Sequence, residues 1–228
     1  MKPITDFAAS LSNVALNNEI DTSPSWYQAY AKFILPNEEK VGVSLALGSR
    51  LIPRDVLSTA AGQKSVASAI QQAAQMVIPL TATSKQPDLR ALSYGGPMQI
   101  LVTAPSSYDA THDTVPASAT PAWRNAIWHA VVGPSFSNDA NIATINTAFK
   151  TAHDAAQLFR NVAPNSGAYQ NEADAFENNP NDAFWGSNYN RLLSLKKQMD
   201  PKNLLTCWNC IGWDSTAPRY GCYPAAPS

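Results

Sequence analysis

Residues 167–213, GAYQNEADAFENNPNDAFWGSNYNRLLSLKKQMDPKNLLTCWNCIGW, constrain the fold of this chain more than any other stretch. Within a few positions, Tyr169, Asn171, Glu172 and Asp174 bring together a phenol, an amide and two carboxylates. Asn179-Pro180-Asn181-Asp182 then supplies N-cap chemistry, with Pro tolerated in a first turn and Asp182 favoured at the positive end of a helix dipole. Trp185, Tyr189, Leu192, Leu193 and Met199 recur at helical spacing, which predicts one buried stripe. Arg191, Lys196 and Lys197 lie toward the negative end, and Asp200-Pro201 stops the helix. A single helix with both ends specified can hold the polar segment before it against a rigid neighbour.

Composition narrows the class. The chain has 228 residues, enough for one large domain or two small ones, and its 45% hydrophobic and 14% charged content is that of a globular protein. A net charge of −1 gives no reason to expect nucleic acid or an anionic membrane as partner. No apolar run is long enough to span a bilayer. The first residues, MKPITDFAASLSN, lack the apolar core of a signal peptide, so the chain taken literally is cytoplasmic. The cysteines lean the other way. Cys207, Cys210 and Cys222 have no His near them, which argues against a zinc site, and the Cys-x-x-Cys follows a helix rather than opening one. The expectation is no metal, one disulfide between Cys222 and either Cys207 or Cys210, and one spare thiol, as suits an oxidising compartment.

Along the chain, Phe7, Leu11 and Ala15 predict a helix ending near Asn17-Asn18, and Trp26, Tyr27 and Tyr30 read as an aromatic core stripe. Val41, Val43, Leu45 and Leu47 alternate with Gly42, Ser44, Ala46 and Gly48, a strand whose bare face admits close approach. Arg50 and Arg54 read as ordinary surface cations. A helical pattern begins at Asp55, is interrupted at Gly62, resumes with Val66, Ile70, Ala74 and Val77, and is closed by Pro79. Residues 91–104 read as a turn at Gly95-Gly96-Pro97 followed by a strand, and 105–120 as an irregular connection in which His112 and Asp113 are solvated. From Trp123 to Val132 a strand turns Ile127, His129 and Val131 one way and Ala126, Trp128, Ala130 and Val132 the other, ending at Gly133-Pro134. A helix capped by Ser137 or Asn138 follows, with a stripe of Ile142, Ile145, Phe149, Ala152, Ala156 and Phe159 and with His153 and Asp154 at its boundary. This order predicts an α+β fold: an antiparallel sheet with helices on one face.

The chain also resembles the berberine-bridge-enzyme-like flavoproteins of the vanillyl-alcohol-oxidase superfamily. The resemblance rests on Tyr169-Gln170-Asn171-Glu172-Ala173-Asp174, Phe184-Trp185-Gly186, Asn188-Tyr189, Arg191-Leu192-Leu193, Lys196-Lys197 and Asp200-Pro201. The Cys207-Trp208-Asn209-Cys210-Ile211-Gly212 tail resembles the fungal branch, and weaker likeness extends through Pro121-Ala122-Trp123-Arg124 and Leu47-Gly48-Ser49-Arg50-Leu51-Ile52-Pro53. It implies that residues 1–164 are an N-terminally incomplete substrate-binding domain. Residues 165–228 would be the C-terminal helical segment that completes an FAD-binding domain. It implies FAD as cofactor, with a small-molecule substrate, an alcohol, carbohydrate or secondary metabolite, and secretion. No glycine-rich phosphate loop follows a strand here, so the flavin domain is expected as a missing N-terminal half or separate partner, and tight FAD binding by this chain alone is not expected. The residue after the Asn of the Tyr-x-Asn motif faces the substrate side of the flavin in the family, which makes Glu172 the candidate base, against a turn-capping or Arg-paired carboxylate. Tyr169 and Asn171, on the opposite face from Glu172 if the segment is extended, are candidates to contact the flavin, or else to pack in the core and satisfy backbone. His129 lies on the sheet face that the resemblance assigns to the pocket, with a core histidine as the alternative. A non-catalytic module that binds a small molecule or a partner chain is the competing reading.

Overall fold

The computed structural model describes residues 6–7, 9–10, 21–37, 44–83, 98–102 and 117–221. The chain divides into Met1–Glu39 and Lys40–Ser228. In the first unit, Ser25 caps helix α1 (Trp26–Ala29) by accepting from the Gln28 amide, and the chain continues through a π-helical turn at Tyr30–Ile34. Trp26 and Tyr27 are 74% and 71% exposed, so they form no core stripe. Aromatic spacing defines a face without providing anything to cover it. The helix expected to end near Asn17-Asn18 lies outside the described residues.

In the second unit the chain enters through β1 (Ser44–Leu45) and β2 (Gly48–Pro53). One alternating strand was expected here; Val41 and Val43 lie outside the described residues, and the remainder is split at Ala46, whose amide donates to Pro134 O. The bare face does admit a neighbour. Ala46 packs on Ala148 and Ala152, and a Cβ on Gly48 would stand 2.8 Å from Ala152 O. Helix α2 (Arg54–Leu57) and the long helix α3 (Ala60–Thr83) follow. Their break falls at Ser58–Thr59 rather than at Gly62, whose amide is taken up by the Thr59 hydroxyl at 3.0 Å. Pro79 lies inside α3 instead of closing it.

Strands β3 (Met98–Val102) and β4 (Ala126–Val132) complete a three-stranded antiparallel sheet in the order β2-β4-β3, while β5 (Ser135–Phe136) pairs with β1. The strand predicted from Trp123 starts later, because Pro121–Arg124 form a 3-10 turn capped by Thr120. The alternation within β4 is as read. Ala130 and Val132 join Ile52, Val66, Ala69, Ala73, Val77 and Phe159 in one core, with Trp128 packed against it. Helices therefore cover one sheet face and His129 points to the other.

Helix α4 (Ile142–Val162) is capped by Asn141, whose side chain accepts from the Thr144 amide at 2.9 Å. Ser137 and Asn138, the expected caps, bond instead to Asp139 and Ser44. Ile142 is exposed, and the buried stripe begins at Ala148. Beyond α4 the chain returns along β2, with the Leu51 amide donating to Gly167 O at 2.9 Å. The single helix expected after Asn179 is two: α5 (Pro180–Trp185) and α6 (Tyr189–Met199), parted by a 3-10 turn at Gly186, whose φ is +52°. Asn179 makes no side-chain cap. Nor do α5 and α6 bury the predicted stripe: Trp185, Tyr189, Leu192 and Leu193 are half-buried and Met199 is 84% exposed.

Candidate functional site

His129 occupies the centre of β4, flanked in register by Leu51 of β2 and Leu101 of β3. It is 2% exposed, and burial pushes its pKa down to about 4, so its ring is neutral at neutral pH. Nε2 has no hydrogen-bond partner among the described residues. Trp123, from the turn before β4, and Tyr169 meet the imidazole edge-on, with ring centroids 5.4 and 5.9 Å away, and lie 5.8 Å from one another. Glu172 Oε2 stands 3.7 Å from His129 Nδ1. That is beyond hydrogen-bond range, and with the ring neutral it is no ion pair.

The Tyr169–Glu172 geometry differs from the extended segment assumed above. Gln170–Glu172 form a 3-10 turn closed by the Glu172 amide donating to Tyr169 O at 3.1 Å. The turn folds Glu172 back toward the imidazole that Tyr169 already touches, so the two share a side. Asn171 Nδ2 donates to the Tyr169 hydroxyl at 2.8 Å, and both residues remain exposed. The structure thus brings His129, Tyr169, Asn171 and Glu172 together.

Behind this turn lies a buried ion cluster that sequence reasoning missed. Arg160 donates through Nε to both oxygens of Glu177 at 3.0 and 3.1 Å and through Nη2 to Asp174 at 2.5 Å. Asp174 also meets His153 Nδ1 at 2.6 Å. Arg50 is not a surface cation. It is buried on β2, with its guanidinium donating to Ala163 O and Pro164 O past the end of α4 and lying 3.9 Å from Glu177. Burial lowers the pKa of Arg50 and the neighbouring Glu177 opposes that shift. Asp174 and Glu177 are thus both paired to Arg160. The usable signal was His153, Gln157 and Arg160, which recur at helical spacing beside an apolar stripe; Arg160 Nη1 does donate to Gln157 at 3.0 Å.

Cys207 is bonded to Cys210, which corrects the expectation that Cys222 pairs with one of them; Cys222, like His112 and Asp113, lies outside the described residues. The turn at 207–210, closed by the Cys210 amide donating to Cys207 O, brings the two Cα atoms within 5.2 Å, which is bridging distance. Among the described residues no group of His, Cys, Asp and Glu could hold a metal ion, and no helix is long and apolar enough to cross a membrane.

Comparison with known proteins places this geometry in a family. Residues 168–211 match the family described as berberine and berberine like. The FAD-linked oxidoreductase ffsJ of Aspergillus flavipes is 33% identical over 218 residues, covering 85% of this chain and 34% of its own length. The FAD-linked oxidoreductase cheF of Chaetomium globosum is 29% identical over 196 residues, covering 86% of this chain and 29% of its own. This chain belongs to the berberine-bridge-enzyme-like family. It spans about a third of the length of the curated relatives it matches. The crystal structure of a VAO-type flavoprotein from Myceliophthora thermophila C1 superposes with a TM-score of 0.51 over 75% of this chain and 27% of that one, at 24% identity, and shows the fold. The berberine-like match contains the Tyr169–Glu172 turn, both ion-cluster carboxylates and the Cys207–Cys210 bridge.

Proposed function

We infer that this chain supplies the substrate-facing wall and the proton acceptor of an FAD-dependent oxidoreductase acting on an alcohol, a carbohydrate or a secondary metabolite. The observation that carries this reading is the meeting of Glu172 with a neutral, buried His129 beneath Trp123 and Tyr169. Burial makes protonating His129 costly, which leaves the adjacent, more accessible carboxylate as the group to take a substrate proton. Trp123 and Tyr169 give the wall an aromatic lining that keeps water off the imidazole.

The residues present fit one side of a flavin. Tyr169 and Asn171, both exposed on the turn, offer a ring and an amide that a flat heteroaromatic group can use. FAD, when bound, supplies the hydride acceptor. In this reading residues 1–164 serve the substrate and 165–228 complete the flavin-binding portion, with the rest of that portion coming from chain outside these residues. Secretion is supported by the disulfide, which persists in oxidising compartments.

The test is Glu172→Gln in a complete flavoprotein that carries these residues, since Gln keeps the size and one acceptor but cannot take the proton. Flavin incorporation stays intact, and the anaerobic rate of flavin reduction by substrate falls by about 10²–10⁴-fold, roughly 3–5 kcal/mol. A fall of only a few-fold with weakened substrate affinity makes Glu172 an orienting group. Loss of the flavin or of the fold makes it structural.

A further inference from the structure

On the helix side of the sheet, where β2 meets the end of α4 and the start of α5, lies a cleft of about 370 Å³. Small-molecule sites occupy about 300–1,000 Å³, so the cleft is large enough to be one. It lies on the face opposite the candidate site. Arg50, in its wall, sits in register with Ala130 of the core beneath the helices, whereas His129 points the other way.

Two buried groups in this wall have unused hydrogen-bonding capacity. Ser166 is 8% exposed, and its hydroxyl has no partner among the described residues. Arg50 commits Nε and Nη2 to Ala163 O and Pro164 O. Its Nη1 lies 3.9 Å from Glu177, which is beyond hydrogen-bond range. Buried polar groups are normally paired, so an unpaired hydroxyl beside an unsatisfied guanidinium edge calls for a partner from outside the chain. At the exposed rim, Gln157 donates to Asn161 Oδ1 at 2.8 Å and accepts from Asn178 Nδ2 at 3.2 Å. The Asn161 amino group and the Asn178 carbonyl are thereby left to the cleft, and Asp182 adds an exposed carboxylate from α5.

Charge decides the class of ligand. The guanidiniums of Arg50 and Arg160 are balanced by the carboxylates of Glu177 and Asp182, and Asp174 adds a further negative charge behind Arg160. An anion would meet these carboxylates, a cation would meet two guanidiniums, and an apolar molecule would strand Ser166 and Arg50 without partners. A neutral molecule with closely spaced groups that both donate and accept suits the mixed set of hydroxyl, amide, guanidinium and carboxylate. We propose that this cleft is a non-catalytic binding site for a neutral polyhydroxy compound, a mono- or disaccharide in chemical class. Among the described residues no aromatic side chain lines it, so hydrogen bonds exchanged with water carry the affinity, and binding is in the millimolar range. The inference goes beyond the reaction proposed above and does not depend on it, because the two sites lie on opposite faces of the sheet.

The experiment titrates the ¹⁵N-labelled 228-residue chain with glucose and with maltose, and in parallel with sulfate, following amide chemical shifts. The Asn161 and Asn178 side-chain amides and the Ser166 backbone amide are expected to shift and saturate with a dissociation constant of about 1–10 mM for at least one sugar, while the Glu172 amide stays in place. Ser166→Ala and the exposed-site variant Asp182→Ala should each weaken that binding by about threefold to tenfold and leave the melting temperature unchanged. Sugar shifts that never saturate, shifts centred on Glu172 instead of Asn161 and Ser166, sulfate binding more tightly than either sugar, or unaltered affinity in Asp182→Ala each overturns the proposal.

Discussion

Arg160 shows how a single side chain joins the fold to the site. It is buried and satisfied by Glu177, Asp174 and Gln157, so its removal strands two carboxylates away from water. Breaking a buried pair from one side costs about 3–5 kcal/mol, and urea unfolding of Arg160→Leu should show a loss of that size. His129 gives a second expectation, with its sign set by burial. Its pKa is about 4 in the folded chain against an ordinary 6.5, so the unfolded state binds more protons between those values. Stability is then full above about pH 6.5 and falls as pH drops toward 4, by about 2–3 kcal/mol near pH 4.5. His129→Leu should flatten that part of the stability–pH curve in urea titrations at pH 7 and 4.5. His129 was readable as a candidate because alternation parts it from Trp128, Ala130 and Val132 and the family resemblance assigns its face to the pocket. Arg50 and Arg160 were not readable as buried, since a cation is expected in water unless its partners are known, and theirs come from residues far along the chain.

At the scale of elements, the periodic patterns were legible and their boundaries were not. β4 and α4 stand where alternation and the 3-4 stripe put them, because each pattern states which face is buried. The breaks depend on local conformations that no periodicity records. Gly186 at φ +52° divides the predicted helix after Trp185, and Asn141 rather than Ser137 or Asn138 caps α4. The turn at Gln170–Glu172 belongs with them: read as extended it separates Glu172 from Tyr169, and as a 3-10 turn it unites them. Gly48 tests how closely the elements fit. A Cβ there meets Ala152 O at 2.8 Å and Ala156 Cβ at 2.9 Å, so α4 must move off β2. Gly48→Ala should lose about 1–3 kcal/mol by overpacking, seen as a lower melting temperature with secondary structure retained by circular dichroism.

For the molecule as a whole, the decisive quantity is how much of a cofactor site about a third of a family member can provide. Trp185, Tyr189 and Leu193 are half-buried, and further along the described chain Leu195, Met199, Leu204 and Leu205 are exposed apolar side chains. Toward a flavin, the described turn offers one aromatic face at Tyr169 and one amide at Asn171. An aromatic contact contributes about 0.5–1.5 kcal/mol beyond its buried area and a neutral hydrogen bond about as much again. Together these give about 1–3 kcal/mol, whereas micromolar affinity requires about 8 kcal/mol and even millimolar affinity about 4. The 228-residue chain is therefore expected to bind FAD with a dissociation constant of about 1 mM or weaker. Titration of FAD with the purified chain, followed by flavin fluorescence, decides the matter. Saturable quenching at micromolar concentration would mean that these residues form far more than one wall, and the assignment of the flavin's other contacts to chain beyond them would have to be abandoned.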